Sequence, residues 1–172
     1  MVITYHGENC VRIQSGETSI LVDPVNNRLK ADVVLHTLCS LAENFAATTD
    51  IRVPGEYEIK GIAVRGIAVP DESTEKFLKI VYRIEFEDIV LGVFGHISNV
   101  PDADILEKIG EPDIVILPAG GAHMLSATDA AALIKKIEPG IVVPVAFASA
   151  DVVIKAFGQK TEPEDLLTIK KK

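Results

Sequence analysis

His36 and Cys39 stand three residues apart in the stretch Ala31-Asp-Val-Val-Leu-His-Thr-Leu-Cys-Ser-Leu-Ala-Glu-Asn44, close enough to share one face of a turn. An imidazole and a thiol are a soft-metal pair, but two ligands do not complete a tetrahedral site. Glu43 and His96, or His123, would have to join them from other loops. The set His36, Cys39, Glu43 and His96, with zinc as its ion, is one candidate centre. A second chemistry would use Cys39 or Ser40 as nucleophile and His36 or His96 as base, with an oxyanion hole beside them. No strained elbow of the G-x-S-x-G kind surrounds these residues. Ordinary core-edge histidines and a buried structural thiol are the simpler account. Glu8, Asp23 and Glu43 could gather as an acidic pocket, although Asp23 before Pro24 also reads as a strand-end turn. Gly120-Gly121 ahead of a helix could offer N–H groups to an anion, or could simply make a turn of positive φ.

The elements that must position these groups are short strands in the first half and helix–strand alternation in the second. Residues 2–6, 11–14 and 19–22 are rich in β-formers and are separated by Gly7-Glu8-Asn9 and Ser15-Gly16-Glu17. Residues 32–35 read as a buried strand, and 41–46 as a weak helical turn. Strands resume at 57–60, 62–69, 78–86 and 89–94, the third with one wet face. Residues 101–110 carry acid at the start and glycine at the end, as a short capped helix does. Ser126-Ala-Thr-Asp129 fits a capping box with Asp in place of Glu, leading 130–137 into a second helix. A third helix is expected over 151–157. Apolar strands fall at 114–117 and 141–145. Strands first and αβ units later, with no linker, predict a single domain over 1–172 in which two sheets share a core between outer helices.

Composition narrows the function classes. The chain has 172 residues, 48% of them apolar and 24% charged, which suits a globular protein with a substantial core. No apolar run approaches the roughly 18–20 residues of a membrane-spanning helix. Residues 2–5 open directly into a strand pattern with no leader, so a cytoplasmic location is expected. A net charge of −8 argues against nucleic acid and membrane partners, both polyanions. Lys170-Lys171-Lys172 reads as a solvated tail. Two cysteines, Cys10 and Cys39, make no disulfide framework and suit free thiols.

As an ordered set, several motifs resemble the small, lactonase-like branch of the metallo-β-lactamase superfamily. They are Tyr5-His-Gly-Glu-Asn-Cys10, Ile20-Leu-Val-Asp-Pro24, Val53-Pro-Gly-Glu-Tyr-Glu-Ile-Lys-Gly61 and Ile114-Val-Ile-Leu-Pro-Ala-Gly-Gly121. The resemblance covers nearly the whole chain. It implies an α/β, four-layer αβ/βα sandwich whose relatives use one or two zinc, manganese or iron ions to make a hydroxide that attacks esters, lactones or phosphodiesters. Such ions need several His and Asp donors at roughly 2.0–2.2 Å.

The resemblance implies that those donors are gone. Leu38 and Ser40 stand where the first two histidines of an H-x-H-x-D-H motif would be, with Ala42 at the aspartate and Glu43 at the third histidine. A further histidine would fall among Asp71, Glu72 and Ser73. In Leu91-Gly-Val-Phe-Gly-His96, Val93 replaces the bridging aspartate; in Val143-Pro-Val-Ala-Phe147, Ala146 replaces the last histidine. His96 matches a family residue outside the direct metal shell. Unpaired imidazoles and carboxylates would cost about 1–3 kcal/mol each without their ion. Leu38, Ala42, Val93 and Ala146 would let the site close as apolar packing. The expectation is a non-catalytic member without cofactor, serving as a binding, regulatory or assembly module for a protein or small-molecule partner, or as a homo-oligomer. The alternative is a hydrolase with an atypical zinc site.

Overall fold

Period-two burial builds the first sheet. Ile3, Ile13, Ile20 and Val33 lie opposite one another across four strands and are at most 2% exposed, so one face of the sheet is a continuous hydrocarbon ladder. The strands are β1 (Val2–Tyr5), β2 (Val11–Ser15), β3 (Thr18–Val22) and β4 (Val33–Leu35), with Leu166–Thr168, the last strand β12, on the outer side of β1. This computed structural model describes residues 1–26, 28–42, 50–120, 122–159 and 166–169.

The second sheet runs in the order β11-β10-β9-β8-β7-β6. Its members are β6 (Gly55–Ile59), β7 (Ile62–Ala68), β8 (Phe77–Phe86), β9 (Ile89–Val93), β10 (Ile114–Pro118) and β11 (Ile141–Val145). β6 to β9 pair antiparallel, whereas β10 is parallel to both its neighbours, as helical crossovers require. Along β8, Ile80, Tyr82, Ile84 and Phe86 enter the core shared with the first sheet. Val81 points the other way, into a core shared with the helices.

Those helices are α1 (Ala103–Ile109), α2 (Ala127–Ile137) and α3 (Ala150–Ala156). Ile105 and Ile109, Ala130 and Leu133, and Val153 all join the same outer core over the second sheet. Among the described residues this is where every helix packs. Asp102 caps α1 by accepting from the Ile105 N–H, and Gly110, at φ 69°, ends it. Ser126 accepts from the Asp129 N–H, the first arm of the expected capping box, while the return contact runs from its hydroxyl to the Asp129 carboxylate instead of from its backbone N–H. The cap starts α2 at Ala127, one turn earlier than apolar periodicity suggested. Among the described residues no helix is long and apolar enough to cross a membrane.

One element departs from expectation. Residues 38–40 form a strand, β5 (Leu38–Ser40), antiparallel to the start of β8. Phe77, Leu78 and Lys79 supply its partner backbone, a pairing that local residue pattern does not reveal. The expected helical turn at 41–46 lies mostly outside the described residues.

Candidate functional site

Four loop ends meet at one end of the two sheets. Asp23 follows β3, Thr37 lies between β4 and β5, His96 follows β9, and Ala146 follows β11. Tyr82, fully buried on β8, anchors the β4–β5 link: its hydroxyl lies 2.8 Å from the His36 carbonyl and 3.2 Å from that of Ile51. Burial holds the Tyr82 phenol protonated well above the usual tyrosine range.

Thr37 is the hub. Its backbone N–H donates to Asp23 Oδ1 at 2.7 Å, and its hydroxyl lies 2.6 Å from both Asp23 Oδ2 and His96 Nδ1. An ionised carboxylate can only accept, so the hydroxyl proton goes to Asp23. Thr37 Oγ1 then accepts from Nδ1–H of His96, which in the neutral tautomer of that ring puts the lone pair on Nε2. Thr37 is fully buried.

Around this hub lies a cleft of about 440 Å³. Glu8, Asn9, Asp23 and His96 supply its polar lining. Tyr5 and Phe147, stacked with centroids 5.8 Å apart and planes at 25°, form an aromatic wall with Met124 nearby. The Ala146 N–H donates to the Glu8 carbonyl at 2.7 Å, tying the β1–β2 turn to the loop after β11. Three lining residues hold left-handed backbone without being glycine: Glu8 at φ 51°, Asp23 at 43° and Ala146 at 47°. Such conformations cost about 1 kcal/mol or more each and cluster at working sites.

The expected apolar closure takes a different form. Val93 is buried between the sheets, Ala146 lines the open cleft, Ala42 is exposed, and Leu38 is 37% exposed on β5. Leu38 lies on β5, Val93 on β9, and Ala42 and Ala146 in the segments after β5 and β11, at differing exposure, so the four do not close together as one buried apolar plug. Ser40 is half-buried and accepts the Ala42 N–H at 3.4 Å. Glu43 lies outside the described residues.

His36, Cys39 and His96 each have their own partners. His36 Nε2 is 3.0 Å from Asp50 Oδ2, Cys39 donates to the His36 carbonyl at 3.6 Å from a buried position, and His96 is held by Thr37. His123 is exposed at φ 59°, and its carbonyl accepts from Ser98 Oγ. Gly120, at φ 103°, donates its N–H to the Leu125 carbonyl at 2.7 Å, so it serves a tight turn; Gly121 lies outside the described residues. Glu8 and Asp23 do share the cleft, as the acidic-pocket reading anticipated.

In the segment 71–73, where the resemblance implied a further histidine, Glu72 meets Lys79 at 2.7 Å and accepts the backbone N–H groups of Ser98 and Asn99. Burial raises this carboxyl's pKa, but Lys79 and the two amides outweigh that and hold it below the usual range. Among the described residues no three His, Cys, Asp or Glu side chains are grouped so as to hold a metal ion. At the cleft, both Asp23 oxygens and His96 Nδ1 are already engaged by Thr37. The described donor set does not fit a catalytic zinc, which takes three protein ligands plus water. Sequence reasoning missed Thr37 and Asn9 as site residues. The Thr37 partners lie 14 and 59 residues away, so no local signal marks it.

The topology and the motif order define the class, and the comparisons agree. A beta-lactamase superfamily domain model matches residues 2–146, and the chain belongs to the metallo-β-lactamase superfamily. No curated protein matches the sequence significantly. A Thermotoga maritima protein placed among Zn-dependent hydrolases of that superfamily superposes with TM-score 0.83 at 21% identity, covering 99% of this chain and 92% of that one. Igni18, a metallo hydrolase of Ignicoccus hospitalis, gives 0.72 at 16% identity over 99% of each chain. The isothiocyanate hydrolase from Delia radicum gut bacteria gives 0.71 at 10% identity over 99% and 100%. At these identities the likeness is one of fold.

Proposed function

We propose that this chain is a non-hydrolytic metallo-β-lactamase-fold protein whose metal site has degenerated and whose cleft serves as a binding, regulatory or assembly module in the cytoplasm. The observation that carries the reading is the donor chemistry. Leu38, Ala42, Val93 and Ala146 have no lone pair for a cation, Asp23 and His96 Nδ1 are held by Thr37, and no three His, Cys, Asp or Glu side chains among the described residues are grouped to hold an ion. Relatives of this fold activate water on an ion held by several His and Asp groups. This chain keeps the scaffold and replaces those groups by side chains that demand no ion. Its folding is then independent of metal.

The deciding experiment is metal analysis by mass spectrometry on protein purified without chelator or affinity nickel, alongside hydrolysis assays on ester, lactone and phosphodiester probes. The expected result is substoichiometric zinc, manganese and iron with no turnover above buffer. Tight stoichiometric zinc, lost together with a hydrolase activity on chelation, would overturn the reading in favour of an atypical site drawing on His36, Cys39, Glu43 and His96.

A further inference from the structure

The cleft's polar lining is made of acceptors. Glu8 and Asp23 bring carboxylates, and His96, bound through Nδ1 to Thr37, offers an Nε2 lone pair in its neutral tautomer. No Lys or Arg stands among its described lining residues. Asn9 adds an independent observation. It is 4% exposed, its Nδ2 reaches only the weak acceptor Met124 Sδ at 3.9 Å, and its buried Oδ1 has no hydrogen-bond partner. A buried carbonyl oxygen without a donor is costly, and a donor held in the cleft that Asn9 lines would relieve that cost.

We propose that this cleft binds a small organic cation, an alkylammonium or guanidinium group on a compact apolar body. The inference rests on the reading that the cleft holds no catalytic metal. An ammonium or guanidinium group has donors and no acceptor, which complements a lining of carboxylates, an amide oxygen and an imidazole lone pair. The stacked Tyr5 and Phe147 rings, with Met124, offer the apolar body a surface and the cation a π-face. An anion would meet two carboxylates and no cationic side chain among the described lining residues. A neutral isostere would lose the charge-assisted bonds. The hydrogen bond from the Ala146 N–H to the Glu8 carbonyl ties the turn that carries Glu8 to the loop after β11, which helps to preorganise the acceptors.

The test uses the full chain, confirmed metal-free, titrated with n-butylammonium, butylguanidinium, n-butanol and butyrate. Binding is followed by calorimetry and by amide and side-chain NMR shifts. Either cation should bind about tenfold or more tightly than n-butanol, with butyrate weakest. Shifts should centre on the Asn9 side-chain amide, His96 and residues 146–148. Glu8→Gln, at an exposed position that leaves the fold intact, should weaken cation binding about fivefold and leave n-butanol unchanged. Asn9→Leu, read only if its unfolding stays cooperative, should abolish the cation preference. Equal binding of butyrate and butylammonium, or shifts remote from Asn9, would overturn the proposal while leaving the metal-free reading standing. Stoichiometric zinc in the starting protein would remove both.

Discussion

A methyl group built on Gly95 would lie 2.0 Å from Thr37 Oγ1, so the turn after β9 keeps a bare backbone where the threonine presses against it. The same threonine holds Asp23 and His96. Gly95→Ala should therefore destabilise the protein by about 1–3 kcal/mol, since the clash is with a fully buried side chain that cannot swing away. Urea unfolding measures it, and an unchanged midpoint would mean Thr37 is free to move.

Thr37→Val removes the hydroxyl and keeps the volume. Asp23 Oδ2 and His96 Nδ1 then lose their partner, and the expected cost is about 1–3 kcal/mol. Thr37→Ser should restore most of it. Nitrogen NMR of His96 in the parent protein should show the proton on Nδ1 at neutral imidazole. A proton on Nε2 instead would break the assignment of Thr37 as donor to Asp23.

The Glu72–Lys79 pair sits at 7% and 17% side-chain exposure. Losing the charged partner of such a partly buried, hydrogen-bonded pair costs about 1–3 kcal/mol, so Glu72→Gln should be destabilising at neutral pH. Because the folded carboxyl titrates below its ordinary value of 4.5, its contribution is full above that pH. The contribution is lost as pH falls through the lower folded value. The stability gap between parent and variant should therefore narrow in acid, and a gap that stays constant from neutral to strongly acid pH would contradict the assignment.

Lys60, in the β6–β7 hairpin, reaches Asp32 just before β4 and so links the two sheets at their edges. The Lys60 hydrogen bond, aided by the Ser19 N–H, holds the Asp32 carboxyl at about 2. Carbon-detected NMR titration should find it there, and Lys60→Ala should move it up toward 3.8. A parent value already at 3.8 would show the pair to be open in solution.

Cys10 and Cys39 are 0% and 1% exposed. Burial raises the Cys10 thiol's pKa, so little thiolate exists at neutral pH. Both thiols should react with a disulfide reagent only after urea unfolding. Rapid labelling of the native protein would put one of them at a working surface.

Much of the fold is legible along the chain because its signals are local. β-forming residues at 2–6, 11–14 and 19–22, set off by turn residues, mark strands to within one residue, and acid at the start of 101–110 and Ser126 mark helix starts through contacts three residues away. The absence of metal donors at Leu38, Ala42, Val93 and Ala146 is equally local, since a side chain without lone pairs lacks them in any fold. β5 was not legible, because three residues become a strand only when Phe77–Lys79 lie alongside.

What the residues determined by themselves is thus the sandwich, its helix caps and the want of lone pairs at Leu38, Ala42, Val93 and Ala146. Tertiary structure alone decided that Thr37 bridges Asp23 and His96, that Glu72 took Lys79, and that an acceptor-lined cleft stays open beside the orphaned Asn9 oxygen. The reason is that periodicity encodes which face a side chain takes, while its partner across 14 or 59 residues is chosen by how two sheets close on a shared core.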